Sequence, residues 1–214
     1  MIPNLPILYS FRRCPYAIRA RMTLNYAGVR VEHREVLLGD KPQAMLEASA
    51  KATVPILKLP DGSVIDESID VMHWALKQQD AEHWWQDKWA TVTMALAKEN
   101  DFTFKQQLDH YKYADRFPQY AQSHYRTEAE VFLTQLETRL MSQRYLLKDQ
   151  LTFSDVAIFP FIRQFAFVDK PWFDQAPYPK LRNWLQWFLE SELFTSTMKK
   201  HPPWQDTHIA ASGN

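Results

Sequence analysis

Two different hydrophobic rhythms divide this chain. Between residues 6 and 81, short apolar runs alternate with helical stripes. Ile7-Leu8-Tyr9 is an apolar run of strand length that stops at the turn-like Ser10-Phe11-Arg12-Arg13. Pro15 suits the first turn of a helix, where its missing N–H costs nothing. That helix sets Ile18, Met22 and Tyr26 on one face at i, i+4 spacing, and Gly28 is placed to close it. Val29 to Leu37 alternates as a second strand. Pro42 to Ala50 reads as a short helix with Met45 and Leu46 inward, and Val54 to Leu59 as a strand with Pro55 at its start. Pro60-Asp61-Gly62-Ser63 is a turn signal that joins it to Val64-Ile65 in a hairpin. From Ser68 a helix carries Ile69, Met72, His73 and Leu76 on one stripe. The predicted order is β-α-β-α-β-β-α.

From about residue 84 the strand pattern stops and only helical periods follow, with a boundary expected between 80 and 86. Residues 88 to 112 form one predicted helix. In 122 to 143, Tyr125, Ala129, Phe132, Leu133, Leu136 and Leu140 repeat as a buried stripe. Thr152-Phe153-Ser154-Asp155 has the form of a capping box, in which hydroxyl and carboxylate each satisfy an orphan N–H. The helix it starts runs through Ile158-Phe159-Pro160-Phe161, with a kink expected at Pro160. A last helix covers 179 to 192, and the tail around His201-Pro202-Pro203-Trp204 reads as irregular. The expected fold class is α/β plus all-α, with an α/β domain over 1–81 and an all-helical domain over 87–214.

Composition narrows the function. With 214 residues, 46% of them hydrophobic, the chain has ample material for cores. Lys and Arg (25) balance Asp and Glu (25), so no global field exists to hold nucleic acid or an anionic membrane. A small-molecule partner is expected instead. The lone cysteine excludes an internal disulfide framework and points to a reducing compartment. The Met1 to Pro6 start lacks the basic residues and apolar run of a signal peptide, and no stretch reaches the roughly 18 apolar residues of a membrane span. The expected location is cytoplasmic. The seven histidines, His201 and His208 among them, show no metal-ligand spacing, so no metal is expected. There is no Gly-rich phosphate loop.

The chemistry concentrates at Cys14. In Cys14-Pro15-Tyr16-Ala17 the sulfur stands where a strand turns into a helix, near the positive end of the helix dipole. Cysteines so placed have pKa values lowered to about 3.5–7.5, and Arg12 and Arg13 next door add to the effect. The bland alternative is a small apolar packing residue, which is common for free cysteine.

These residues carry a resemblance. The chain resembles a cytosolic glutathione S-transferase of the cysteine-containing, omega-like group, over nearly its full length. The resemblance implies a thioredoxin-like N-terminal domain followed by a helical C-terminal domain, with glutathione as co-substrate. Cys14-Pro15-Tyr16-Ala17 is similar to the family's C-P-[FY]-[AS] motif, whose cysteine faces the glutathione sulfur. Thr53-Val54-Pro55-Ile56 resembles its V-P-x-L segment, whose cis proline precedes a strand edge that pairs with the tripeptide. Asp66-Glu67-Ser68 resembles its acid-Ser motif, in which Glu67 and Ser68 hold the γ-glutamyl end. Lys41 falls where relatives carry a basic residue near the glycyl carboxylate. The resemblance also implies a homodimer. One departure is Ser49-Ala50-Lys51-Ala52, which stands where many relatives have Ser-Pro-x-Gly, so Ala52 must avoid a positive φ or bear strain.

A cysteine in this place implies exchange through a glutathione mixed disulfide, as in thioltransferases and dehydroascorbate reductases, with weak conjugation of electrophiles. A co-substrate pocket would draw on the helical domain, with Phe102, Phe104, Tyr111, Tyr113, Phe161, Phe165 and Arg163 as candidates, although aromatic stripes are more often core. Trp84, Trp85 and Trp89 are expected to pack at the domain boundary. Two rival readings are a regulatory binding protein that kept the fold without turnover and a glutathione-dependent isomerase or lyase.

Overall fold

The computed structural model describes residues 5–205. Met1 to Asn4, on which the reading of the chain start rests, and His208 lie outside these residues. The described chain divides into two compact units, one of residues 5–79 with 195–205 and one of Asp80–Phe194.

The first unit is thioredoxin-like. It runs β1 (Ile7–Ser10), α1 (Pro15–Tyr26), β2 (Glu32–Glu35), α2 (Gln43–Ala48), β3 (Ile56–Lys58), β4 (Val64–Ile65) and α3 (Ser68–Gln78), in the predicted order. The sheet order is β2-β1-β3-β4. β1 lies parallel to β2 (Ile7 opposite Glu32) and antiparallel to β3 (Leu8 opposite Leu57), and β3 is antiparallel to β4. Because side chains alternate across a pleat, Leu8 and Leu57 face one way and Tyr9 and Ile56 the other. The first pair packs with Ala20 and Leu24 of α1 and Val71 and Ala75 of α3. The second packs with Val36 and with Met45 of α2. Fully burying each such Leu or Ile contributes about 2 kcal/mol.

Local sequence explains how α1 ends. Gly28 takes φ +64°, which an L-residue resists. That geometry lets Val29 N–H reach the Leu24 carbonyl at 2.9 Å and Gly28 N–H reach that of Asn25 at 3.1 Å, closing the last turn. In α2 the expectation fails for one residue. Met45 is buried, whereas Leu46 is 39% exposed, because consecutive helical residues point about 100° apart and so short a helix docks through one narrow stripe.

β2 is a polar edge strand, and the C-terminal tail covers it. Trp204 N–H donates to the Glu35 carbonyl at 2.8 Å, and Pro203 forms an isolated parallel bridge with Glu35. The Arg34 guanidinium stacks 4.1 Å from the Trp204 ring centroid, and His33 stacks on His201 at 4.1 Å. Burial holds His33 below the usual imidazole value, opposed by its hydrogen bond to Glu35. The tail therefore groups with the first unit, where it blunts an edge that could otherwise template strand pairing.

The second unit is helical: α4 (Ala90–Glu99), α5 (Lys105–Lys112), α6 (Gln122–Leu140), α7 (Phe153–Ala166), α8 (Lys170–Gln175) and α9 (Pro179–Glu190), and it ends within the short α10 (Glu192–Thr195). The helix expected over 88–112 is formed as α4 and α5, with a π-helical segment at Asn100–Phe104 carrying the helical backbone from one to the other. All six stripe residues of α6 are buried. α7 continues through Pro160. Trp84 is buried, its N–H bonded to Asp80, and Trp85 meets the Phe153 ring edge-on, both within this unit. Among the described residues no helix is long and apolar enough to cross a membrane.

Asp155 ties the second unit together. Its wholly buried carboxylate accepts from Thr152 N–H (3.0 Å), the Thr152 hydroxyl (2.5 Å), Leu146 N–H (2.9 Å) and the Trp184 indole N–H (3.0 Å). Burial pushes the carboxyl up to about 6, while these donors favour its charged form. Asp155→Ala would strand several buried donors and is expected to cost on the order of 3 kcal/mol in denaturant unfolding. A change under about 1 kcal/mol would show that water replaces the carboxylate.

Candidate active site

β1 ends at the buried Ser10, and the chain turns through Phe11, Arg12 and Arg13 before α1. Cys14 is the N-cap residue of α1, with extended backbone (φ −70°, ψ 124°) and Pro15 immediately after it. Its N–H donates to the Phe11 carbonyl at 3.1 Å and its carbonyl accepts from Ile18 at 2.9 Å. The sulfur is half-buried at the margin of the cluster containing Tyr9, Met45 and Ile56, with the Val54 carbonyl oxygen 3.8 Å away. It thus sits at the positive end of a three-turn helix.

The turn before it is held from beneath by Arg21, a buried cation from the second turn of α1. Arg21 Nη1 donates to Ser10 Oγ (2.5 Å) and the Phe11 carbonyl (3.3 Å), Nη2 to the Arg12 carbonyl (2.8 Å), and Nε to the Thr197 carbonyl (3.3 Å). Glu35 closes the other side by accepting the Arg12 N–H at 2.7 Å. Burial pulls the guanidinium down to about 10, while the nearby Glu35 and Cys14 favour its charged form. Arg12 and Arg13 were the cations expected beside the thiol. Arg12 anchors the turn through its backbone, and Arg13 is exposed with its guanidinium 5.9 Å from the Phe11 ring centroid.

The Val54–Pro55 bond is cis. The loop that leads to it is tied to the start of α3 by charge. Ser49 Oγ donates to Asp66 at 2.6 Å, and Lys51 Nζ bridges Asp66 (3.0 Å) and Glu67 (2.6 Å). These partners hold the Asp66 carboxyl below its usual range and the Lys51 ammonium above its own. Glu67 is the N-cap residue of α3 and Ser68 its first residue. Ser68 is 3% exposed, and its hydroxyl oxygen accepts from Arg19 Nε at 3.0 Å and Nη2 at 2.9 Å. The same guanidinium lies 5.2 Å from the ring centroid of the half-buried Tyr16. Lys41 is exposed in the segment leading into α2.

Residues 8–83 match the glutathione S-transferase N-terminal domain, and residues 119–186 match the glutathione S-transferase C-terminal domain. The two matches together span more than half of the chain. The chain belongs to the glutathione S-transferase family. Among curated proteins it is similar to glutaredoxin 2 of Escherichia coli strain K12, 34% identical over 70 residues that make up 33% of this chain and 32% of that protein. It is also similar to glutathione S-transferase omega-1 of Mus musculus, 36% identical over 62 residues, 29% of this chain and 26% of that protein. The matches thus span about a third or less of these relatives. Among solved structures, a glutathione transferase from Pseudomonas putida, with one glutathione disulfide bound per subunit, superimposes with a TM-score of 0.77. It shares 17% identity and the match covers 92% of each chain, a likeness of fold.

The aromatic candidates for a co-substrate pocket lie in the helical unit. Most are core. Phe104, Tyr111, Phe161 and Phe165 are buried, and Phe165 packs against Phe104 and Tyr111 at 5.8 and 5.1 Å. Phe102 is 69% exposed, Tyr113 is half-buried, and the Arg163 guanidinium lies 5.3 Å from the rings of Phe167 and Phe194. Among the described residues no group of three or more His, Cys, Asp or Glu could hold a metal ion. Arg19 and Arg21 were not singled out from sequence, and Ser49 and Lys51 only as part of the Ser49-Ala50-Lys51-Ala52 departure, without a role. A signal for the first two exists, since two arginines inside a helix whose neighbours are otherwise small or apolar must find buried acceptors or break the core.

Ala52 adopts φ +52°, so the departure seen in the sequence is borne as a left-handed alanine. That conformation costs an L-residue about 1–2 kcal/mol. Ala52→Gly relieves it at the expense of extra unfolded-chain entropy, and a net gain of roughly 0.5–1 kcal/mol is expected in the denaturant midpoint. A loss of stability would mean that the methyl group packs favourably enough to outweigh the strain.

Proposed function

We propose that this glutathione transferase uses Cys14 as a thiolate and exchanges disulfides through a glutathionyl intermediate, with weak conjugation of electrophiles as a side activity. The observation that carries this reading is the half-buried side chain of the chain's one cysteine at the N-terminus of α1. The similarity of a 70-residue stretch of the chain to a protein named as a glutaredoxin supports it.

In the proposed cycle the Cys14 thiolate attacks the glutathionyl sulfur of a mixed disulfide. A Cys14–glutathione disulfide forms, the old S–S bond breaks, and the other thiol leaves as a thiolate that takes a proton from water. A second glutathione thiolate then attacks the glutathionyl sulfur of that adduct, releasing glutathione disulfide and the Cys14 thiolate. The net exchange consumes one glutathione from solution per mixed disulfide: the substrate sulfur is reduced to its thiol, and the glutathionyl group leaves joined to the incoming glutathione as glutathione disulfide. With no second cysteine in the chain, the resolving thiol has to come from solution.

In this reading the residue 1–81 domain holds glutathione. The Val54 backbone before Pro55 pairs with the cysteinyl part, Glu67 and Ser68 take the γ-glutamyl end, Lys41 meets the glycyl carboxylate, and Tyr16 flanks the thiol. The donors at the start of α3 suit a carboxylate, and the acidic pair Asp66 and Glu67, already holding the Lys51 ammonium, suits an ammonium. The helical domain is proposed to receive the second substrate. Cys14→Ala is expected to abolish turnover of a glutathione mixed disulfide, by at least about a thousandfold on the scale of a lost nucleophile, while calorimetric binding of S-methylglutathione persists. Turnover equal to that of the parent would remove Cys14 from the mechanism.

A further inference from the structure

The Ser68 hydroxyl is buried in an unusual electrostatic arrangement. Its oxygen is forked by the Nε and Nη2 donors of Arg19, a side chain only 1% exposed. Among the described residues these are the two hydrogen bonds that Ser68 Oγ makes. A hydroxyl oxygen has two acceptor sites and one donor hydrogen. With both acceptor sites engaged, Ser68 has only its hydrogen left to offer. We infer that Arg19 is a positioning residue that turns Ser68 into an obligate donor, and that this makes the start of α3 selective for a free carboxylate on the ligand.

The inference rests on the reading of Ser68 as a contact for the γ-glutamyl end of glutathione, and it specifies how that contact discriminates. A serine whose oxygen is free can accept from an amide N–H as readily as it donates, so it tells a carboxylate from a carboxamide poorly. Here an ammonium or amide N–H approaching Ser68 finds no acceptor and meets a guanidinium behind the oxygen. A carboxylate finds a donor polarised by that cation, and hydrogen bonds with an ionised partner are roughly twice as strong as neutral ones. The opposite preference holds one and two residues earlier, where the Asp66 and Glu67 carboxylates hold the Lys51 ammonium. Donor-only and acceptor-only groups therefore follow one another along Asp66-Glu67-Ser68, which matches the ammonium and carboxylate of one α-amino acid end. Lysine in place of Arg19 would keep the charge but present a point donor in place of a planar fork. Glutamine would go further, because its carbonyl can accept the Ser68 hydrogen and withdraw it from a ligand.

The test uses the full chain and two thioether ligands that cannot exchange disulfides: S-methylglutathione, and its analogue with the γ-glutamyl α-carboxylate converted to a carboxamide. Calorimetry gives the ratio of their Kd values. In the parent protein the carboxylate is expected to bind at least about tenfold tighter. In Arg19→Lys the ratio is expected to fall to about threefold or less, and in Arg19→Gln to near unity. A general structural defect would weaken both ligands alike and leave the ratio in place, so a folded Arg19→Lys protein with the parent ratio overturns the inference. Should both Arg19 variants fail to fold, the parent and Ser68→Ala decide the matter. A parent ratio under about threefold, or a ratio unchanged in Ser68→Ala, overturns it as well. Failure of the parent to bind S-methylglutathione at all would instead overturn the glutathione reading on which it rests.

Discussion

A buried guanidinium organises the loop on which the candidate chemistry depends. Arg21 reaches from α1 back under the strand-to-helix turn and donates to Ser10, Phe11, Arg12 and Thr197. Removing a cation from water is costly unless each donor finds a partner. Backbone carbonyls of a loop are the groups most in need of such donors, since the loop has no ladder of its own. Each requirement meets the other, and the outcome is a turn with a defined path. Cys14 inherits its position from that path. The same cation also anchors the C-terminal tail through Thr197, so an element distant in sequence stabilises the turn that presents the thiol.

Much of this architecture was legible from local pattern. Alternating apolar runs marked the strands, the six-residue stripe of α6 was read correctly to the residue, and Gly28 was recognised as the close of α1 because only a left-handed residue permits that turn. Features set by distant partners were not legible. Nothing in His201-Pro202-Pro203-Trp204 announces an edge cover, because its main tie is a backbone hydrogen bond that almost any residue can make, reinforced by an arginine on β2. The π-helical segment at Asn100–Phe104 leaves the apolar period nearly unchanged, so the helical run through α4 and α5 was legible but its widened turn was not. Leu46 misled because a run of only six helical residues gives periodicity little to average over.

The candidate site shows the same division. Cys14, Pro55 and the acid-Ser pair stood out because their chemistry is unusual at those places in a chain. Arg19, Arg21, Ser49 and Lys51 did not, since each acts through partners between 9 and 176 positions away. These partners nevertheless set the electrostatics. The chain as a whole has no net charge, yet within the first unit cations and carboxylates are sorted along a short path, with Lys51 on Asp66 and Glu67, Arg19 behind Ser68 and Arg21 beneath the thiol turn. A zwitterionic, thiol-bearing tripeptide is the kind of ligand such sorting suits, whereas bulk charge would have been silent on it.

The central claim is that this arrangement keeps one sulfur open to attack by and upon glutathione. Intact-protein mass spectrometry tests it directly, because with one cysteine in the chain any glutathionyl adduct reports on Cys14 alone. Mixing the reduced protein with glutathione disulfide at neutral pH is expected to give a single glutathionyl adduct within minutes, and added glutathione is expected to remove it. A chain that stays unmodified under these conditions, while remaining folded, would contradict the account.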